Sequence, residues 1–179
     1  MAQVGLKNLY YAEMTADTTS ETTYTTPVKI GEAVSVDINP TINRAQLYGD
    51  DMAVAAHTGL GEITVTIETT ELTLEAQAKL LGGTYDTTTA TYTATGADSA
   101  PYVALLFESE KHNGGTRCVK LLKGKFAPTQ ETINTRGDSI EYQVPQLEGV
   151  FVARLSDKAW KKVQDFDEGS DTATWYTSV

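Results

Sequence analysis

The sequence is poor in the residues that most often carry chemistry. Among its 179 residues there is one cysteine, Cys118, and there are two histidines, His57 and His112. A single cysteine excludes an intramolecular disulfide, so no oxidising compartment is implied. Within Arg117-Cys118-Val119, a strand-like run, that cysteine reads as a small buried hydrophobe and not as a nucleophile. Neither histidine has partners at ligand spacing, so no metal site is expected. Positive charge is also scarce: 14 Lys and Arg stand against 24 Asp and Glu, a net charge of −10 with a pI near 4.6. That balance excludes holding DNA or an anionic membrane through a basic patch, although it permits a role beside DNA in which the chain repels it. No apolar run approaches the roughly 20 residues needed to span a bilayer. The opening Met1 to Lys7 lacks the apolar core of a signal peptide, so a soluble product made in a cytoplasm, without membrane insertion, is expected.

Catalytic constellations are missing as well. Gly49-Asp50-Asp51 lacks the alternating oxygen ligands and terminal Glu of a calcium loop and reads as a solvated turn. Gly59-Leu60-Gly61 is not followed by a phosphate-loop lysine. Ser99 and Ser109 have no base nearby and no Gly-x-Ser-x-Gly elbow around them. The carboxylates are scattered over turns and outward strand positions. No catalytic residue, cofactor or metal is expected, and the chain reads as a non-enzyme.

What the sequence does have is threonine, 28 in all, with 40% hydrophobic residues. Threonine favours pleated, half-solvated surface because of its β-branch, which points to a mostly-β protein. The length suits one domain, residues 1–179, with a real core. Val34, Val36 and Ile38 alternate with Ser35 and Asp37, and Ile63, Val65 and Ile67 alternate with Thr64 and Thr66. Period-two alternation marks two half-buried strands. Between them Asn39 to Glu62 reads as a polar loop far longer than the usual 4–6 residues or so, and such loops tend to be functional. Leu9–Met14 reads as a first strand and Asp17–Thr26 as a loop, with Gly31 at a bend. Thr73–Leu81 is the one convincing helix, with Thr73 as N-cap, Gly82 as C-cap and Leu74, Ala78 and Leu81 on one face. Such a helix lying on a sheet is an α+β layer arrangement. The Thr-rich tract from Gly82 to Ala100 suggests an exposed hairpin with Tyr85 opposite Tyr92. Tyr102–Glu108 should be a central strand buried on both faces, returning through an Asn113-Gly114-Gly115 turn along Thr116–Phe126. Ile140–Val144 and Val150–Leu155 read as further strands around Pro145. The tail from Ser156 to Val179 is polar but carries Trp160, Phe166 and Trp175, aromatics that call for something to dock on.

Three stretches together resemble the major tail proteins of long-tailed, non-contractile bacteriophages, the subunits of the tail tube. They are Val4-Gly5-Leu6-Lys7-Asn8-Leu9-Tyr10-Tyr11-Ala12 with the strand into Ala33-Val34-Ser35-Val36; Asn39-Pro40 with Asn43, Ala45 and Leu47-Tyr48-Gly49-Asp50-Asp51; and Thr132 to Gln143 with Pro145 and Leu147-Glu148-Gly149. None is diagnostic alone; their order and spacing carry the likeness. The C-terminal segment and the tract around Tyr85–Ala97 match weakly.

The resemblance implies a β-sandwich with a flanking helix, assembled as hexameric rings stacked into a tube. The tube would form around a tape-measure protein, meet tail terminator and distal tail proteins, and carry DNA to the host through an electronegative lumen without binding it specifically. It would be a virion component assembled in the host cytoplasm. The expected fold is therefore mostly β (α+β): a β-sandwich or partly closed barrel of two packed sheets, one helix over about 73–81, a long inter-strand loop over about 39–61, and terminal arms at 1–8 and 156–179. The loop is expected to touch the next ring through Asn43, Arg44, Gln46, Leu47, Tyr48, Asp50, Asp51 and Met52. Asp37, Glu62, Glu68 and Glu71 are the lumen candidates, and Trp160, Phe166 and Trp175 the docking residues of the C-terminal arm, which the family would lay on neighbouring subunits. Two other readings fit the same residues. One is a carbohydrate-binding or adhesin-like module with Tyr85, Tyr92, Trp160 and Trp175 as a sugar platform. The other is a different tail ring component, such as a tail terminator.

Overall fold

A computed structural model describes residues 2–49, 52–129, 131, 133, 135 and 143–179. In chain order the strands are β1 (Gln3–Asp17), β2 (Thr22–Tyr24), β3 (Val28–Gly31), β4 (Ala33–Gly49), β5 (Met52–Thr69), β6 (Thr84–Asp86) and β7 (Thr91–Thr93). They continue as β8 (Val103–Lys111), β9 (Thr116–Ala127), β10 (Gln146–Phe151) and β11 (Lys161–Phe166). The helix α1 (Leu74–Leu81) follows β5, and a 3-10 turn spans Ala173–Tyr176.

All strands but two belong to one antiparallel sheet, with the path β3-β1-β8-β9-β10-β5-β4. Its two end strands are consecutive in the chain, with only Glu32 between them. A sheet whose ends are joined in this way must curl, and it wraps into a partly closed barrel. The bend needs glycine at Gly31, where a Cβ would stand 2.4 Å from the carbonyl oxygen of Glu71. β9 serves two partners along one edge: Thr116–Leu121 pairs with β11 and Gly124–Ala127 with β10. β6 and β7 form a separate two-stranded sheet with Tyr85 opposite Tyr92, as the Thr-rich tract suggested.

Alternation decides what fills the barrel. Ile63, Val65 and Ile67 of β5 are buried with Val103, Leu105 and Phe107 of β8, Val119 and Leu121 of β9, and Leu147 and Phe151 of β10. The threonines between them face out. Phe151 is fully buried and packs edge-on against Phe126, with ring centroids 5.9 Å apart. A Cβ at position 124 would sit 2.5 Å from the Phe151 ring, so the ring occupies the room that glycine leaves. The helix forms where expected: the Thr73 hydroxyl accepts from the Ala76 N–H, and Gly82 adopts a left-handed φ of 81°. Its packing face is rotated from the expected one. Ala76, Ala78, Leu80 and Leu81 are buried, while Leu74 in the first turn is 43% exposed.

The largest departure is the segment 39–61. It is not an inter-strand loop: β4 and β5 run on as a paired ribbon, from Pro40 opposite Ile63 out to Gly49 opposite Met52. Its residues are small or polar with apolar ones on both faces, so no half-buried period shows in the sequence. The ladder bulges between Pro40 and Ile42, where proline can sit without a pairing N–H. Residues 3–8, expected as a terminal arm, are part of β1 and pair with the end of β8. Most of the strand expected over 140–144 lies outside the described residues, and β10 ends at Phe151, short of Leu155.

One polar tie closes the barrel at the β1–β9 end. Lys123 Nζ lies 2.6 Å from Asp17 Oδ2, with side chains only 12% and 10% exposed. Oδ1 accepts from the Thr22 hydroxyl at 3.1 Å and the Leu155 N–H at 3.2 Å. Burial pushes the Asp17 carboxyl up, but Lys123 and these two donors outweigh it and hold the group below its ordinary value. A depressed carboxylate stabilises the fold above its unfolded pKa, and that contribution disappears as pH falls through the folded value. In acid melts the native chain should therefore lose stability from about pH 5 downward. Asp17→Asn should be less stable at neutral pH with a flatter profile over that window; parallel profiles would refute the assignment.

Candidate assembly surfaces

Beyond Pro40 and Ile63 the described residues of the β4–β5 ribbon pair only with each other. Nine residues, Thr41 to Gly49, carry it roughly 30 Å out from the barrel at the usual strand rise. Directly opposed residues share a face. Ile42, Arg44 and Gln46 lie with Leu60, Thr58 and Ala56, and Asn43, Ala45 and Leu47 lie with Gly59, His57 and Ala55. The Tyr48 hydroxyl donates to Gln46 Oε1 at 2.6 Å, tying the two side chains together. Leu47 and Tyr48 are each 66% exposed and Met52 71%. A bare two-stranded ribbon is marginal in water, and three large exposed apolar side chains near its end make it a candidate interaction surface.

The expected contact residues Asn43, Arg44, Gln46, Leu47, Tyr48 and Met52 thus share one projecting ribbon, all exposed; Asp50 and Asp51 lie outside the described residues. Ile42 and Leu60, each 50% exposed and paired across the ribbon, share the face of Arg44 and Gln46. Reading this stretch as a loop hid them, whereas a strand reading would have set them side by side.

The carboxylates separate into two groups. Across β4, β5 and β10, Asp37 stands opposite Thr66 and Thr66 opposite Glu148; Ser35, Glu68 and Gln146 form the next row. Asp37, Glu68 and Glu148 therefore share the outer face of this wall, with Val36, Ile67 and Leu147 on the core side. Glu68 accepts from the Ser35 hydroxyl at 2.8 Å. Glu62 is exposed at the bulge where the ribbon leaves the barrel. Glu71 is set apart, beyond the end of β5, with its carbonyl against Gly31. Glu148 was missed because its strand is interrupted in the sequence by Pro145 and Gly149.

The C-terminal segment docks on its own barrel in this single chain. Trp160 packs against the core, and its carbonyl accepts from the Leu122 N–H at 2.9 Å. β11 extends β9, and Asp165 takes two bonds from the Arg117 guanidinium, at 2.7 and 2.8 Å, with Lys111 Nζ at 2.8 Å. These cations hold the Asp165 carboxyl well below the usual range. Trp175 meets Phe166 edge-on at 6.3 Å and lies under Lys120 Nζ, 4.2 Å from the ring centre. Tyr176 stacks beside Tyr10 and donates to Glu108 Oε2 at 3.2 Å, while Asn8 Nδ2 donates to Oε1 at 2.6 Å. This cover explains why β8 is buried on both faces. With Trp160 and Trp175 engaged in internal packing, they are not open rings for a sugar platform with Tyr85 and Tyr92.

Cys118 sits beneath the same cover. Burial first, then the Glu108 carboxylate 3.8 Å from its sulfur, pushes the thiol up to about 12, far from the thiolate a nucleophile needs. Among the described residues no three His, Cys, Asp or Glu are grouped to hold a metal ion.

The chain is a curled β-barrel with a self-paired projecting ribbon and an acidic outer wall. Residues 37–171 match the family model described as phage tail tube protein, and the chain belongs to that family. No curated protein matches it. Membership makes it a structural component of the virion tail, a protein that assembles with its own copies into a tube. The matched span holds the ribbon, the acidic wall and β11.

Proposed function

We propose that copies of this chain form rings, six to a ring, that stack into the tail tube, and that the ribbon of one ring lies on the next. The tube assembles around a tape-measure protein in the host cytoplasm, ends against terminator and distal tail proteins, and conducts the genome during ejection. The observation that carries this reading is the exposed apolar end of the ribbon, at Leu47, Tyr48 and Met52, on an arm whose described residues pair in the sheet only with each other. Stacking of this kind is heterologous and open-ended, as a filament requires. The face bearing Asp37, Glu68 and Glu148 is proposed to line the channel, with Glu62 at its edge. Like charge there denies DNA the phosphate contacts that dominate its affinity for proteins.

Negative-stain microscopy of the concentrated protein tests the reading. Hollow tubes growing with concentration are expected. Single rings that never stack would favour a terminator-like cap, and a monodisperse monomer at all concentrations would refute self-assembly.

A further inference from the structure

The ribbon leaves the barrel at the Ile63 end of β5; at the other end of that strand, about 20 Å away at the usual rise, lies a groove of about 660 Å³. Leu72 and Leu81 floor it from the β5–α1 side, Tyr92 flanks it from β7, and Pro145 and Leu147 close it from the start of β10. One molecule therefore carries an unpartnered apolar projection at one end and an apolar recess at the other. We infer that the groove beside α1 is the seat for the ribbon end of a second copy of this chain, with Leu47, Tyr48 and Met52 entering it. This rests on the tube reading above and names the receiving surface within it.

Charge complementarity selects this occupant. Arg44 is the sole cation of residues 33–69, is exposed, and has no ion pair among the described residues. Glu131 is the one Asp, Glu, Lys or Arg among the described residues lining the groove. In the opposite sense, Asp50-Asp51 follows Tyr48 closely in the sequence, and Lys79 stands exposed on α1 between the groove residues Gln77 and Leu81. Lys79 likewise has no ion pair among the described residues. A projection entering a recess at the far end of its neighbour does not close on itself, so the contact propagates.

Cysteine pairing tests the seat. Leu47→Cys and Ala94→Cys place thiols on the ribbon and on an exposed groove residue, while native Cys118 stays buried and protonated. Under mild oxidation the double variant should give a ladder of disulfide-linked multimers, mixed single variants should give dimers, and an Ala94→Cys sample alone should give none. Arg44→Glu should suppress tubes and Glu131→Arg in the same chain restore them. Tubes that form from the double variant without cross-links, or a charge reversal that fails to rescue, would overturn the seat and leave the tube reading standing. Failure of the unsubstituted chain to polymerise would overturn that reading, and the seat with it.

Discussion

Replacing residues 44–58 with an Asn-Gly turn should leave a folded barrel that no longer makes tubes. Asn43 and Gly59 are already paired across the ribbon, so a two-residue turn can close the shortened hairpin there. The described residues of the segment removed pair only with each other and are exposed or half-exposed, so its loss should change stability by about 1 kcal/mol or less, as exposed substitutions do. Assembly responds differently. Burying Leu47, Tyr48 and Met52 at an interface is worth roughly 1.5–3 kcal/mol for each large apolar side chain. Losing about 5 kcal/mol per contact weakens it several-thousand-fold on the scale of about 1.4 kcal/mol per decade. Thermal melts should nearly coincide while negative-stain fields of the shortened chain show no tubes at concentrations where the full chain is polymerised. Tubes of normal length from the shortened chain would remove the ribbon from the assembly contact.

The barrel was legible in the sequence where one face of a strand is wet and the other dry. Ile63, Val65 and Ile67 announce β5, and the unbroken apolar run after Tyr102 announces β8, because burial imposes a period that composition must follow. The helix ends were legible from Thr73 and Gly82, whose caps are local chemistry. The ribbon was not. A strand pair exposed on both sides has no buried face to select an apolar register, and Pro40, Gly59 and Gly61 mimic a loop. The sequence did show that something unusual separates the two strands, and the described residues suggested for contact, Asn43, Arg44, Gln46, Leu47, Tyr48 and Met52, lie on it. The self-docking of Trp175 and Tyr176 was equally hidden. Their seat, made by Tyr10, Glu108 and Lys120, comes from three strands distant in sequence, and only the closed sheet brings these together.

Converting Asp37, Glu68 and Glu148 to lysine should produce tubes that hold DNA. The three side chains lie on one face in neighbouring ladder rows, so the change turns a patch of negative charge into a positive one without touching the core residues Val36, Ile67 and Leu147. Among the described residues only Glu68 loses a hydrogen bond, to Ser35, and the fold should survive. Repulsion from the native wall acts over about 8 Å at physiological ionic strength, far enough to keep phosphates from settling on a channel lining. Lysines in its place form phosphate contacts, and affinity then falls with salt at a slope of about −0.9 per contact. Repeated around every ring, even two or three contacts per subunit make a binding surface instead of a passage. Purified lysine tubes should retain short duplex DNA at low salt and release it as salt rises, whereas native tubes retain none. Particles built with the variant should eject their genomes at least tenfold more slowly while showing tails of normal length. Ejection at the native rate from such particles would place this acidic face on the outside of the tube and leave the lining to another wall of the barrel.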